Sequence, residues 1–497
     1  MFKKILIANR GEIAVRIMRT CREMGLKTVA VYSEADAAAL HVLEADQAVF
    51  LGPSEPAQSY LNSERLIKAA LDSGAEAVHP GYGFLAENAE FAEACAQAGL
   101  VFVGPPGSVI RDLGNKTVAR RIMGQAGVPL IPGMMTTSTD PQVLAAEAER
   151  IGYPVIIKAE AGGGGKGMRI VTDQTALEET VLSCRSEAEK AFGNGALYLE
   201  KHLQRPRHIE FQILADHHGK VVHLFERECS IQRRHQKIIE ETPSPLMTPD
   251  LRQRMGQAAV AAAKASGYRN AGTVEFLVDQ DGSFYFLEVN TRLQVEHPIT
   301  EMTTGKDLVR EQLKVASGEP LSFNQEELFQ QGHALECRIY AEDPEADFFP
   351  SPGLILFLQE PSGPGVRNDC GIYAGFEVPV EYDPILSKLI VHGPDRDAAR
   401  QRMIRALEHY AILGIRTTIP FLLDVLKAPA FARGETFTDF IECHFPAWKQ
   451  SEETAELAAL AYGIDERTGK GGQTERMVFK GAPSPWETLG PWRMVKS

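Results

Sequence analysis

What this chain lacks narrows it at once. No apolar run is long enough to span a bilayer, so no membrane segment is expected. Positive charge is in deficit: 52 Lys and Arg stand against 66 Asp and Glu, a formal net charge of −14, which argues against a nucleic-acid surface. The seven cysteines are scattered, with no C-x-x-C and no metal-type spacing. A disulfide framework is thereby excluded, and a reducing, cytoplasmic setting is expected. The opening "MFKKILIANRGE" runs straight into a strand, so no signal peptide or Arg-rich presequence is expected. The first strand-to-helix turn, "ANRGEIA", holds one glycine and is no dinucleotide fingerprint.

At 497 residues there is room for roughly three domains of about 150 residues. Residues 1–114 alternate short apolar strands with amphipathic helices. "KKILIA", "KTVAVYS", "EAVHP" and "LVFVGPP" read as strands. "GEIAVRIMRTCREMG" reads as a helix, with Ile13, Ile17, Cys21 and Met24 on one stripe and Gly25 as the stop. This β-α-β rhythm predicts a parallel, doubly wound, Rossmann-like α/β sheet. From 115 to 330 the pattern turns to strands after an initial helix, and 331–446 reads as mixed α+β. Residues 447–497 are rich in Gly, Pro and Glu, weakly periodic, and read as a tail or partial module.

"KAEAGGGGKGMRI" (158–170) carries four consecutive glycines between two lysines. It follows the strand-like "YPVIIKA" and precedes strand-like "MRIVT". A helix after the run would suit a dinucleotide site, and Ser or Thr after Lys166 would suit a Walker loop; neither is present. A strand–Gly loop–strand hairpin can instead lie over nucleotide phosphates with its backbone N–H groups. A flexible surface hairpin is the bland alternative.

The sharpest physical signal is "TVEFLVDQDGSFYFLEVNTR". Asp281-Gly282 reads as a two-residue hairpin turn that pairs Gln280 with Ser283. Glu275 then faces Glu288, with Asn290 on the same side. Opposed like charges destabilise a strand pair. Two carboxylates and an amide suit Mg²⁺ (or Mn²⁺), completed by water and phosphate. A slipped register is the alternative. In "NTRLQVEHPITE", Arg292, Gln294 and Glu296 share a side if the chain stays extended. They could hold and deprotonate a small oxyanion, or form an exposed charged edge.

"IANRGEIAVRI", "HPGYGFLAEN", "KAEAGGGGKGMR", "RHIEFQ", "ECSIQRRHQKIIEE", "FLEVNTRLQVEHPITE", "ECRIYAEDP" and "YDPILSKLI" together resemble biotin carboxylase of the ATP-grasp superfamily, in family order over residues 1–446. The form "KAEAGGGGKGM" and "GIRTTIPFL" lean toward the acyl-coenzyme A and pyruvate carboxylases. The resemblance implies an ATP-grasp domain at 115–330, with a Gly-rich lid at about 131–203, and a biotin carboxylase C-terminal domain at 331–446. The implied reaction uses ATP and bicarbonate to form carboxyphosphate, then carboxylates biotin tethered on a carrier. Residue by residue, Lys116 and Lys158 would bind ATP phosphates and Gly162, Gly163, Gly164 and Gly165 would form the lid loop. Glu200, Lys201 and Leu203 would form the adenine hinge, and His208, Gln232 and His235 would surround ribose and phosphates. Glu275 and Glu288, with Asn290, would hold the metal. Lys237, Arg292, Gln294 and Val295 would bind bicarbonate, Glu296 would be the general base, Arg338 would stabilise the biotin enolate, and Tyr82 would border the biotin pocket.

Biotin is attached to a lysine normally set in Met-Lys-Met, and no Met-Lys dipeptide occurs here. No carboxyltransferase-like region occurs either. The carrier and the carboxyltransferase are therefore expected on other chains, or were removed from this one; the resemblance implies a homodimer through the C-terminal third.

Overall fold

The structure, a computed structural model, describes residues 1–160 and 168–450. The glycine run Gly162–Gly165 and the tail from residue 451 lie outside the described residues.

Five strands open the chain: β1 (Lys4–Ile7), β2 (Lys27–Ser33), β3 (Gln47–Gly52), β4 (Ala77–His79) and β5 (Val101–Phe102). They form one parallel sheet in the order β3-β2-β1-β4-β5. Helix α1 (Gly11–Glu23) buries Ile13, Ile17 and Cys21, and the left-handed Gly25, at φ 71°, lets the chain turn off its end. The expected strands and helices are present. β3, not anticipated although Ala48–Leu51 is an apolar run, is an edge strand whose first four residues are not buried. The strand order reverses between β1 and β4, the place where a doubly wound sheet leaves a crevice at its carboxyl edge. There Asn9 Nδ2 donates to the carbonyls of Pro80 and Tyr82, 2.7 Å each, and ties the two loops together.

Helix α2 (Lys116–Gln125) follows, capped by Asn115, whose side chain accepts from the Thr117 and Val118 amides. β6 (Val155–Ala159), β7 (Met168–Val171) and β8 (Leu197–Lys201) form an antiparallel sheet in the order β7-β6-β8.

The eight remaining strands that matter to the site make one sheet. They are β9 (Arg207–Ala215), β10 (Val221–Arg233), β11 (Gln236–Thr242), β12 (Asn270–Val278), β13 (Phe284–Asn290), β14 (His333–Tyr340), β15 (Val366–Cys370) and β16 (Ile385–Gly393). Their order is β13-β12-β9-β10-β11-β14-β16-β15. β11 pairs with β14, so the sheet runs unbroken past residue 330. Helix α3 (Pro249–Ala265) packs on it through Leu251, Met255, Ala259, Ala262 and Ala263. That helix was not anticipated, because small alanines blur the apolar stripe.

Several one-residue register shifts interrupt the ladders, and three of them lie beside the site. Between β9 and β10 the pairing shifts after His223, near Phe225, whose φ is 65°. Between β10 and β11 it shifts between Ile231↔Ile239 and Gln232↔Lys237, leaving Ile238 extra. Between β12 and β13 it shifts between Glu275↔Glu288 and Phe276↔Phe286, leaving Leu287 extra. A bulge reverses the alternation beyond it, and the one at Ile238 offsets an opposite shift between Glu228 and Ile231.

Candidate active site

The β12–β13 hairpin brings Glu275 directly opposite Glu288, by a different route from the one the sequence suggests. The turn is longer than two residues: Asp279 N donates to Ser283 O at 2.8 Å and Gly282 N to Asp279 O at 3.0 Å, so Ser283 sits opposite Asp279 and not Gln280. Val278 pairs with Phe284, and the bulge at Leu287 then restores the Glu275–Glu288 pairing.

The two carboxylates live in unlike surroundings. Glu275 is buried among donors: Lys237 Nζ at 2.7 Å, His208 Nε2 at 2.8 Å, Asn290 Nδ2 at 2.8 Å and Gln294 Nε2 at 3.1 Å. Burial opposes its charge, yet Lys237 and His208 hold it well below the usual carboxylate range. Glu288 opens to the cleft, and protein crowding, Glu275 and Glu87 push its proton affinity up. The repulsion expected between the pair is thus relieved on one side by the protein itself.

Lys237 is the centre of the arrangement. Its ammonium lies 2.5 Å from Glu210 Oε2, 2.7 Å from Glu275 Oε1 and 2.8 Å from Glu296 Oε1. Burial works against its charge, but the three carboxylates hold it protonated well above an ordinary lysine. Glu210 is also held by Arg227 Nε at 2.6 Å, with both side chains fully buried. His208, Glu210 and Glu275 stand close enough to share a metal ion, as do Glu210, Cys229 and Glu296. Lys237 already supplies the cation at both sets.

The segment after β13 is not extended. Residues 291–296 turn, and Glu296 is the N-cap residue of helix α4 (His297–Thr304). Its carboxylate makes no capping bond, so both oxygens reach cations: Oε1 toward Lys237 and Oε2 toward Arg338 Nη2 at 3.0 Å. Burial opposes its charge, but Lys237, Arg338 and Arg227 keep Glu296 ionised well below the usual range. Arg292 and Gln294 still meet, through a 3.1 Å bond between Nη1 and Oε1, and Arg292 Nη2 donates to Asn290 Oδ1 at 3.1 Å. Arg292 Nε is engaged by Glu87 at 2.8 Å. Arg338, on β14, donates to Glu240 Oε1 at 2.6 Å. Gln232 Nε2 faces His208 Nδ1 at 2.6 Å, and His235 turns the β10–β11 hairpin with φ 65°.

A second group lies on β6, β8 and α2. Lys158 Nζ is 2.5 Å from Glu200 Oε2, and the other Glu200 oxygen pairs with Arg120. Lys116 begins α2; burial and the Lys158 charge lower its proton affinity, against the pull of Glu288 and Glu200. Lys116 therefore senses both the metal-type pair and the Lys158 group. Lys201 spends its side chain on the Gly152 and Tyr153 carbonyls, at 3.0 and 2.8 Å, and Leu203 follows β8. Tyr82 stands on the loop after β4, and its hydroxyl is buried without a hydrogen-bond partner among the described residues.

Sequence reasoning missed Glu210, Arg227, Glu240, Glu87 and Arg120. A signal existed for Glu210. Strand β9 is buried throughout, yet His208, Glu210 and Gln212 alternate along it, a polar face that no solvent can explain. Glu87 and Arg120 carry no comparable pattern.

Residues 1–110 match the family described as biotin carboxylase, N-terminal domain, and 336–443 the biotin carboxylase C-terminal domain. Residues 115–324 match the carbamoyl-phosphate synthase L chain, ATP binding domain. A pyruvate carboxylase subunit of Methanothermobacter thermautotrophicus is 57% identical over 442 residues, covering 89% of this chain and 90% of that one. The alpha subunit of mitochondrial methylcrotonoyl-CoA carboxylase from Dictyostelium discoideum is 49% identical over 497 residues, covering 99% of this chain and 70% of its own length. The biotin carboxylase domain dimer of Hydrogenobacter thermophilus 2-oxoglutarate carboxylase, solved with MgADP, ADP and bicarbonate, has a TM-score of 0.87 at 47% identity, covering 91% of this chain and 99% of that one. A biotin carboxylase–β-γ-ATP complex from Campylobacter jejuni gives 0.87 at 46% identity, covering 89% and 99%.

Proposed function

The chain belongs to the biotin carboxylase family, and from that premise we propose that it uses ATP and bicarbonate to carboxylate biotin on a carrier protein, the first half-reaction of an acyl-coenzyme A or pyruvate carboxylase. The observation that carries this reading is the buried Lys237–Glu296–Arg338 chain of charges, set beside the opposed Glu275 and Glu288 on one sheet. It puts a carboxylate base, two anion-binding cations and a metal-type carboxylate pair within reach of one small oxyanion.

Glu275, Glu288 and Asn290 supply hard oxygen donors that fit Mg²⁺ or Mn²⁺, and the raised proton affinity of Glu288 beside Glu275 and Glu87 marks a carboxylate that a cation would satisfy. A bound metal would neutralise phosphate charge during phosphoryl transfer. Lys116 and Lys158 would hold the nucleotide phosphates. Glu296 is a weak base while Lys237 and Arg338 share its charge. A bicarbonate that draws Lys237 and Arg292 toward itself leaves Glu296 less compensated and so more basic at the moment it is needed. Arg338, already charged and fixed by Glu240, needs little reorganisation to meet a developing enolate oxygen on biotin. Lys201 and Leu203 would contribute the adenine hinge with Glu200.

A biotin carrier and a carboxyltransferase, which sets the acyl acceptor, are the partners of this half-reaction, and the chain works in the cytoplasm as a homodimer through its C-terminal third. No helix among the described residues is long and apolar enough to cross a membrane. The experiment is ADP release by the purified chain with MgATP: it should require bicarbonate and accelerate with free biotin. ADP release indifferent to bicarbonate rejects the reading.

A further inference from the structure

One buried cation has no place in the scheme above. Lys388, on β16, is completely buried. Its cross-strand neighbours are Arg338 on β14 and Asp369 on β15. Its ammonium lies 3.1 Å from Glu12 Oε2, donates to the Val295 carbonyl at 3.2 Å, and stands 5.6 Å from the centre of the Tyr82 ring. These partners come from three distant parts of the chain: the first turn of α1, the loop after β4 and the turn before α4.

Burying a lysine and a glutamate is costly, and an apolar pair of similar volume would serve packing as well or better. Among the described residues the Glu12 carboxylate has no partner besides Lys388, and that contact is an ion pair. Burial accordingly pushes Glu12 up to about 7, with Lys388 opposing. The pair is a poor stabiliser placed where one cation touches both substrate subsites. The peptide whose carbonyl it holds joins Val295 to Glu296. The ring it faces belongs to Tyr82.

We propose that Lys388 is a positioning residue for both subsites, fixing the Val295–Glu296 peptide for bicarbonate and the Tyr82 ring for biotin, with Glu12 as its counter-charge. This rests on the biotin carboxylase reading of the same site. The nucleotide group on α2, β6 and β8 shares none of these contacts, so it should not feel the change.

The test compares parent, Lys388→Met and the double variant Lys388→Met/Glu12→Gln. Lys388→Met strands Glu12 in a buried site and is expected to fold poorly; the double variant removes both charges and keeps the fold testable. In the double variant, apparent KM for bicarbonate and for free biotin should each rise tenfold or more. MgADP affinity, read by calorimetry, should stay within twofold of the parent. Both KM values within twofold of the parent, in a folded double variant, overturn the proposal. So does an equal loss of MgADP affinity, which marks a general structural role. A parent that shows no bicarbonate-dependent turnover rejects instead the functional reading beneath it.

Discussion

β1 and β9 are both buried, but Ile5, Leu6 and Ile7 fill the first, while His208, Glu210 and Gln212 alternate through the second. In the parallel sheet, burial removes apolar surface from water, and a deletion leaves a cavity. In the eight-stranded sheet, burial gathers charges, and those around Lys237 are tolerable because they have partners. Removing one residue from either interior is expected to cost a comparable several kcal/mol or so. The two interiors differ in what else is lost.

The strongest test of that difference is Lys237→Met. It leaves Glu210, Glu275 and Glu296 without their shared cation. A destabilisation of about 3–5 kcal/mol is expected, with bicarbonate-dependent turnover falling at least roughly a hundred- to a thousandfold. Leu6→Ala in the parallel sheet should destabilise by a comparable 2–5 kcal/mol or so, while its folded fraction keeps near-parental turnover. Denaturant unfolding and ADP release on both variants separate the two interiors; equal turnover per folded molecule would erase the distinction.

Next in size, Arg338→Gln should lower biotin carboxylation by roughly a hundred- to a thousandfold and spare the slow bicarbonate-dependent ATPase measured without biotin. Glu296→Gln should lose both, since no base remains. Parallel loss of both activities in Arg338→Gln would place that residue with bicarbonate instead.

Glu275 and Glu288 should then part company. Both Gln variants are expected to lose metal-dependent ATP turnover. Without metal, Glu275→Gln should cost about 1–3 kcal/mol, because buried donors lose an ionised acceptor. Glu288→Gln should melt at the parent temperature or slightly above, because it relieves repulsion. Melting curves with chelator show the split.

The smallest effect lies back in the parallel sheet. His41 accepts from Gly11 N at 3.4 Å and its other ring nitrogen contacts the Val31 carbonyl at 3.2 Å. Burial lowers it to about 4, so it folds neutral. Its contribution is present above the unfolded value of 6.5 and is lost as pH falls toward 4. That is about 1.4 kcal/mol by one unit below 6.5. His41→Gln should flatten the parent's stability loss between pH 7.5 and 5.5 by that amount; an unchanged slope would show that His41 does not titrate on unfolding.

Much of this was readable in the sequence, for physical reasons. α1 shows its buried stripe because Ile13, Ile17 and Cys21 recur at helical spacing. The Glu275–Glu288 opposition was foreseen, though from a turn that proved a residue longer and a bulge that compensated. What stayed hidden depends on long-range placement. Nothing local links Lys237 to Glu210, or Arg338 to Glu240. The turn at 291–296 hid behind an alternation that suggested a strand. α3 hid behind its alanines, whereas β3 was overlooked despite the apolar Ala48–Leu51.

The three bulges have one consequence best put in terms of residue count. Phe225, Ile238 and Leu287 mark places where a strand is one residue longer than a regular ladder needs. The extra Ile238 lets Lys237 and Glu240, three apart, serve the same carboxylate, one directly and one through Arg338. The extra Leu287 returns Glu288 to its place across from Glu275. Chain length at these points is therefore as informative as side-chain identity. A designer who trimmed the strands to an ideal sheet, keeping every charged residue, would improve the ladder and disassemble the active site.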